Sequence, residues 1–128
     1  MTKQTCVLIE EDSMVASLVR FRLKRLQFDV HHINSTNLRS LKTIGADIVL
    51  IGLHSGTSNI IEVLLEIRNI LPKTPMVAIL SNQRQQRIIE NNKIQVQGYL
   101  SSPVSLSELE NQIMQLTNKN CSISQELP

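Results

Sequence analysis

Apolar runs of strand length alternate five times with segments whose apolar residues recur at helical spacing. The predicted strands are Thr5–Ile9, Phe28–Ile33, Ile48–Leu53, Pro75–Leu80 and Val96–Leu100. The third is typical of a strand buried on both faces, whereas the second alternates apolar and polar residues as an edge strand does. A helix is predicted after each strand, and the five helical segments begin at Ser13, Thr36, Ile60, Asn82 and Ser105.

The helix boundaries carry recognisable end signals. Ser13 and Thr36 are expected to be N-caps, and Ser105 with Glu108 matches a capping box. Gly45 is expected to end the second helix. The first helix is predicted to bury a stripe formed by Val15, Leu18, Val19, Leu23 and Leu26. The fourth, Asn82–Asn92, is polar and has few apolar anchors.

Strands that alternate with helices are parallel and are joined by right-handed crossovers. We therefore expect an α/β fold, a doubly wound five-stranded parallel sheet with five helices on both faces. The short loops and the absence of a glycine-rich phosphate loop favour the flavodoxin-like strand order 2-1-3-4-5 over a dinucleotide-binding half. Residues 1–118 are expected to form the domain, and residues 119–128 a polar tail or the start of a linker.

Composition excludes several classes of protein. The 128 residues suffice for one domain with a real core, but only Phe21, Phe28 and Tyr99 are aromatic, so stacking on nucleic-acid bases has little support. The net charge of +2 does not indicate a nucleic-acid or membrane partner. Cys6 and Cys121 do not make a disulfide framework or a zinc site. No signal peptide or membrane-length apolar run is present, and a cytoplasmic protein is expected.

Candidate chemistry lies where the strands end, because ligands of open α/β sheets bind outside the carboxyl ends of the strands. Glu10 and Glu11 follow the first strand, Gly52 lies near the end of the third, and Ser81 and Ser102 follow the fourth and fifth. Glycine is chemically bare, so the usual chemistry of such a crevice is expected to be missing.

Four motifs occur in order along the chain: Val-Leu-Ile-Glu-Glu-Asp-Ser, Ala-Asp-Ile-Val-Leu-Ile-Gly-Leu, Pro-Met-Val-Ala-Ile-Leu-Ser and Gly-Tyr-Leu-Ser-Ser-Pro. With these motifs the chain resembles the receiver domain of two-component response regulators, and the resemblance extends from about Thr5 to Leu116. In that family two acids hold Mg²⁺, and the resemblance matches them to Glu10 and Glu11. The family's phosphoacceptor aspartate matches Gly52.

The resemblance also implies a set of switch residues. The family's hydroxyl residue matches Ser81, its switch aromatic matches Tyr99, and its lysine matches Ser102, so the lysine is lost. The proline after the lysine matches Pro103, whose preceding peptide bond is expected to be cis.

These losses predict a pseudo-receiver that is not phosphorylated and is not an enzyme. Gly52 offers no nucleophile, and Ser102 offers no cation to a phosphoryl group. For Mg²⁺ the remaining ligands are Glu11, Glu10 through water and the backbone carbonyl of His54, a poor octahedral set, so no cofactor is expected. The imidazole of His54 is expected to be incidental.

We expect a protein partner in signal transduction, bound through the fourth helix, fifth strand and fifth helix around Arg84, Arg87, Tyr99 and Glu108. The sequence leaves open whether the domain forms a homodimer. Neither a membrane nor nucleic acid is expected as a partner of this domain alone. Two alternatives remain. One is a receiver-like module gated by a small ligand or metal in the emptied crevice. The other is the regulatory domain of a longer DNA-binding regulator.

Overall fold

One parallel sheet of five strands organises the protein, whose structure, a computed structural model, describes residues 4–54 and 59–117. The strands are β1 (Thr5–Ile9), β2 (Asp29–Ile33), β3 (Ile48–Leu53), β4 (Met76–Leu80) and β5 (Gly98–Ser101). Their order is β2-β1-β3-β4-β5, and every neighbouring pair is parallel. The predicted strand order is confirmed. The predicted tail, residues 119–128, lies outside the described residues.

Five helical segments follow the five strands, and the flavodoxin-like fold is confirmed. They are α1 (Ser13–Arg25), a 3₁₀ helix (Ser35–Lys42), α2 (Ile60–Ile70), α3 (Gln83–Asn91) and α4 (Leu106–Thr117). The labels α1 to α4 count only α-helices. The helix predicted as the fourth is therefore α3, and the helix predicted as the fifth is α4. None of these described helices is long and apolar enough to cross a membrane.

The predicted N-cap of α1 is wrong by one residue. The cap is Asp12 rather than Ser13, and its carboxylate accepts the backbone N–H groups of Met14 and Val15 at 2.9 and 3.1 Å. A carboxylate is stabilised at this end of a helix by the unpaired N–H groups and the helix dipole.

Both predicted ends of the second helical segment are also wrong. The 3₁₀ helix begins at Ser35 instead of being capped by Thr36, whose hydroxyl bonds to the Asn34 side chain. It ends at Lys42, three residues before Gly45. The Thr36 hydroxyl is therefore used by a neighbouring side chain and not by the backbone of the helix.

The two faces of the sheet carry separate core layers. α1 and α4 cover one face and bury Leu23, Leu109 and Ile113 against it. The 3₁₀ helix, α2 and α3 cover the other face, where Leu64 and Ile67 are fully buried. The central strands are therefore buried on both sides, as predicted for β3, whereas β2 at the edge is only partly buried.

One residue of the predicted α1 stripe is not in the core. Ala16, Val19 and Leu23 are buried, but the side chain of Leu18 is 55% exposed. The prediction of a buried Leu18 is wrong because the buried face of α1 is centred on Val19 and Leu23.

Candidate functional site

The carboxyl ends of β1 and β3 bring Glu10 next to Gly52. Ile9 pairs with Ile51 in the parallel register, so the next residue of each strand lies at the same edge. A Cβ atom on Gly52 would lie 2.6 Å from Cδ of Glu10 and closer still to its Oε1. The Glu10 carboxylate therefore fills the space that a side chain at position 52 would occupy.

Glu10 is held in this position by hydrogen bonds. Its Oε2 accepts the backbone N–H of Asp12 at 3.0 Å and the Nε2–H of His54 at 2.5 Å. The Glu10 side chain is 1% exposed and that of His54 40%. The backbone of Glu10 is held as well, because its carbonyl accepts the Nε2–H of His32 at 2.7 Å. These three contacts fix both the side chain and the backbone of Glu10.

Two expectations from the sequence change here. His54 is not incidental, because its ring contacts the buried carboxylate of Glu10. The space that a side chain at position 52 would leave is not empty, because the Glu10 carboxylate occupies it. The two adjacent acids also differ, since Glu11 is exposed and accepts the hydroxyl of Ser35 at 2.9 Å.

An open cavity of about 530 Å³ remains beside this arrangement. Its lining includes Glu11, Asp12, Ser35, Gly52 and His54. The cavity lies at the carboxyl edge of the sheet, where ligands of this class of fold bind.

The residues present do not fit the Mg²⁺ that the resemblance implies. The buried Glu10 carboxylate is engaged by His54 and Asp12, and the His54 carbonyl accepts the side-chain amide of Gln85 at 3.1 Å. Within residues 4–54 and 59–117, no group of three or more His, Cys, Asp or Glu residues could hold a metal ion. Mg²⁺ needs about six oxygen ligands in near-octahedral geometry.

Gln85 connects the ends of β3 and β4, and the sequence interpretation missed it. The residue is 4% exposed. Its Oε1 accepts the backbone N–H of Ser81 at 2.7 Å, and its Nε2 donates to the His54 carbonyl. The Ser81 hydroxyl donates to the Leu53 carbonyl at 2.7 Å. The available signal was the spacing of Gln85 from Ile89, one turn later on the buried face of α3.

At the end of β5, Ser102 and Pro103 are exposed and the peptide bond between them is cis, as the resemblance implies. The Ser102 backbone N–H donates to the Leu80 carbonyl at 2.8 Å. Ser102 therefore joins the two strand ends through its backbone and brings no positive charge to the crevice.

The Tyr99 face, as we call the surface of α3, β5 and α4 around Tyr99, contains the other predicted residues. Tyr99 is partly buried against the core. Burial raises the pKa of its hydroxyl, and the negative charge of Glu90 raises it further. Tyr99 and Glu108 line a cavity of about 330 Å³. Arg84 and Arg87 are exposed and lie one turn apart on α3.

Comparison with known proteins finds likeness in structure. No family model matches the sequence, and no curated protein matches it. The receiver domain of the sensor histidine kinase PA1611 from Pseudomonas aeruginosa PAO1, described with a magnesium ion in its active-site cleft, superimposes with a TM-score of 0.78 at 18% identity, covering 91% of this chain and 99% of that chain.

Two further structures give the same result. A CheY-like receiver domain protein from Methanospirillum hungatei JF-1 has a TM-score of 0.79 at 11% identity, covering 92% of this chain and 96% of that chain. The signal receiver domain of an HD domain-containing protein from Pseudomonas fluorescens Pf-5 has a TM-score of 0.78 at 19% identity, covering 99% of this chain and 96% of that chain. This chain therefore has the fold of the CheY-like response regulator receiver domains.

Proposed function

We propose that this protein is a non-enzymatic, phosphorylation-independent receiver-like domain that acts in signal transduction by binding a protein partner through the Tyr99 face. The observation that carries the proposal is the Glu10 carboxylate beside Gly52, in the space that a side chain at position 52 would need. A receiver with this arrangement has a resident carboxylate where the family has its phosphoacceptor.

Glu10 is a poor substitute for the missing nucleophile. Phosphoryl transfer needs an accessible carboxylate in line with the phosphorus of the donor. The Glu10 side chain is 1% exposed, and its Oε2 already accepts hydrogen bonds from His54 and Asp12. These contacts reduce both the access to the carboxylate and its nucleophilicity.

Without phosphorylation, Ser81 and Tyr99 lose the input that couples them in the family. The Ser81 hydroxyl is bonded to the Leu53 carbonyl, and Gln85 holds the Ser81 backbone. We therefore expect the Tyr99 face to be presented in one arrangement, with Arg84 and Arg87 available to a partner that carries acidic groups.

The first test is incubation of the protein with acetyl phosphate and Mg²⁺, followed by intact-mass measurement. We expect no phosphoryl adduct, while a receiver domain that retains its aspartate is modified under the same conditions. Stoichiometric phosphorylation of this chain would disprove the proposal.

The second test addresses the Tyr99 face. Proteins captured by the wild type from a lysate of the source cells are compared with those captured by Arg84→Glu/Arg87→Glu and by Leu65→Ser, an exposed substitution on α2. We expect the charge reversal to lose a partner that the α2 variant retains. Equal capture by both variants would argue against this face.

The alternative of a ligand-gated crevice loses the space directly at Gly52, which Glu10 fills, but the cavity of about 530 Å³ beside it is open to a small ligand. The alternative of a DNA-binding regulator concerns chain beyond this domain. Titration of the domain with duplex DNA at several salt concentrations tests whether these residues bind it alone.

A further inference from the structure

The outer face of α1 carries a stripe of exposed apolar side chains. Met14, Leu18 and Phe21 are spaced four and three residues apart and are 73%, 55% and 63% exposed. Residues at this spacing lie on one face of a helix. A group of large apolar side chains in contact with water marks an interaction surface more often than single exposed residues do.

The two ends of α1 carry opposite charges. Glu11 and Asp12 are exposed at the amino end, and Lys24 and Arg25 are exposed at the carboxyl end. The guanidinium of Arg25 lies 5.8 Å from the centre of the Phe21 ring, so it continues the stripe. Lys24 and Arg25 take part in none of the ion pairs found within residues 4–54 and 59–117.

We propose that α1 pairs in an antiparallel manner with α1 of a second copy of this chain, about a two-fold axis near Leu18. Leu18 lies near the middle of the stripe, so the axis sets Met14 of one copy opposite Phe21 of the other. The same rotation sets the acidic end of each helix opposite the basic end of its partner. A two-fold interface must be self-complementary, and this surface meets that requirement in both shape and charge.

The charge pattern favours a second copy over other occupants. A parallel pair of helices would place like charges together. An anionic membrane would attract Lys24 and Arg25 but repel Glu11 and Asp12, whereas an antiparallel second copy matches the charges at both ends. The stripe has three apolar side chains, far fewer than the roughly 20–30 residues per partner of a standard interface, so we expect a weak dimer with a dissociation constant on the order of 100 μM. This surface is separate from Arg84, Arg87 and Tyr99, so the inference goes beyond the proposed function.

Sedimentation equilibrium over a range of concentrations tests the dimer. We expect association by the wild type and a monomer for Leu18→Glu, which places two carboxylates at the axis. Leu65→Glu is the matched control, because Leu65 on α2 is 52% exposed and lies in the other helix layer. A wild type that stays monomeric to about 1 mM, ten times the expected constant, or equal loss in both variants, overturns the proposal.

Charge reversal tests the antiparallel arrangement. The axis near Leu18 sets Glu11 of one copy opposite Arg25 of the other, so Arg25→Glu and Glu11→Lys each place two like charges together at both ends of a homodimer, and each is expected to be monomeric. Mixing the two variants restores opposite charges at both ends, so a heterodimer is expected. If the mixture does not associate although the wild type does, the antiparallel arrangement is wrong.

Discussion

At the residue scale, the identity of position 52 decides where the Glu10 carboxylate lies. Gly52 has a φ outside the positive range, so the glycine is needed for space and not for its backbone conformation. The carboxylate is the mobile end of a side chain and can turn away from a larger residue. Doing so would cost its hydrogen bonds with His54 and Asp12.

Gly52→Ala is therefore expected to lower the free energy of unfolding by about 1–3 kcal/mol, the cost of lost hydrogen bonds at a buried carboxylate. Gly45→Ala is the control, because a Cβ there meets nothing within 4 Å. We expect Gly45→Ala to leave the stability unchanged or to raise it by less than about 1 kcal/mol. Urea denaturation measures both, and equal effects would contradict the role assigned to Glu10.

At the scale of the elements, buried or partly buried polar side chains join the helices to the ends of the strands. Gln85 joins α3 to the ends of β3 and β4. Arg68 joins the end of α2 to the segments that precede β4 and β5, donating to the carbonyls of Leu71, Thr74 and Gln95 and to the side chain of Gln97.

Gln85→Ala is expected to lower the free energy of unfolding by about 1–3 kcal/mol, because it leaves the Ser81 N–H and the His54 carbonyl without this partner. Hydrogen exchange of the Ser81 amide should become faster. Gln83→Ala, an exposed change in the same helix, is expected to stay within about 0.5 kcal/mol. Unchanged exchange at Ser81 in Gln85→Ala would contradict this prediction.

Arg68→Lys is expected to destabilise the protein by about 1–3 kcal/mol, although it keeps the charge. Partial burial lowers the pKa of the Arg68 guanidinium, whose planar shape reaches four acceptors that one ammonium group cannot reach together. Arg87→Lys, on the exposed face of α3, is the control. Thermal or urea denaturation is expected to show the loss of stability in Arg68→Lys and not in Arg87→Lys.

At the scale of the whole molecule, burial of Cys6 makes the free energy of unfolding fall as the pH rises in the alkaline range. The thiol is fully buried, and desolvation raises its pKa from 9.0 to about 12. The unfolded chain releases this proton near pH 9 and the folded chain does not. The contribution of Cys6 is therefore complete below pH 9 and is lost as the pH rises toward 12.

We expect the free energy of unfolding to fall by about 2 kcal/mol between pH 8 and pH 10.5 through Cys6. Burial also raises the pKa of Tyr99, which adds to the fall in the same direction. Urea denaturation of the wild type and of Cys6→Ala across this range gives the slope of the free energy of unfolding against pH for each protein. The difference between the two slopes is the effect of the thiol. Equal slopes for both proteins would contradict the assignment to Cys6.

The pattern of the sequence predicted the elements and the strand order, because burial on both faces of a parallel sheet demands continuous apolar runs. It also placed Gly52 at the carboxyl edge of the sheet, where the residue lines the cavity. The sequence does not decide the N-cap of α1, because Asp12 and Ser13 are both good caps and are adjacent.

Contacts between distant residues were decided only by the tertiary structure. Glu10 and His54 are 44 positions apart, and their contact depends on the register of β1 and β3 and on the space at Gly52. Helical spacing alone would let Leu18 share a face with Val19 and Leu23 or with Met14 and Phe21. Only packing decides that the first face is buried and that Leu18 lies on the second. The sequence alone determined the fold through local periodicity, whereas the site depends on side chains that meet only when the chain has folded.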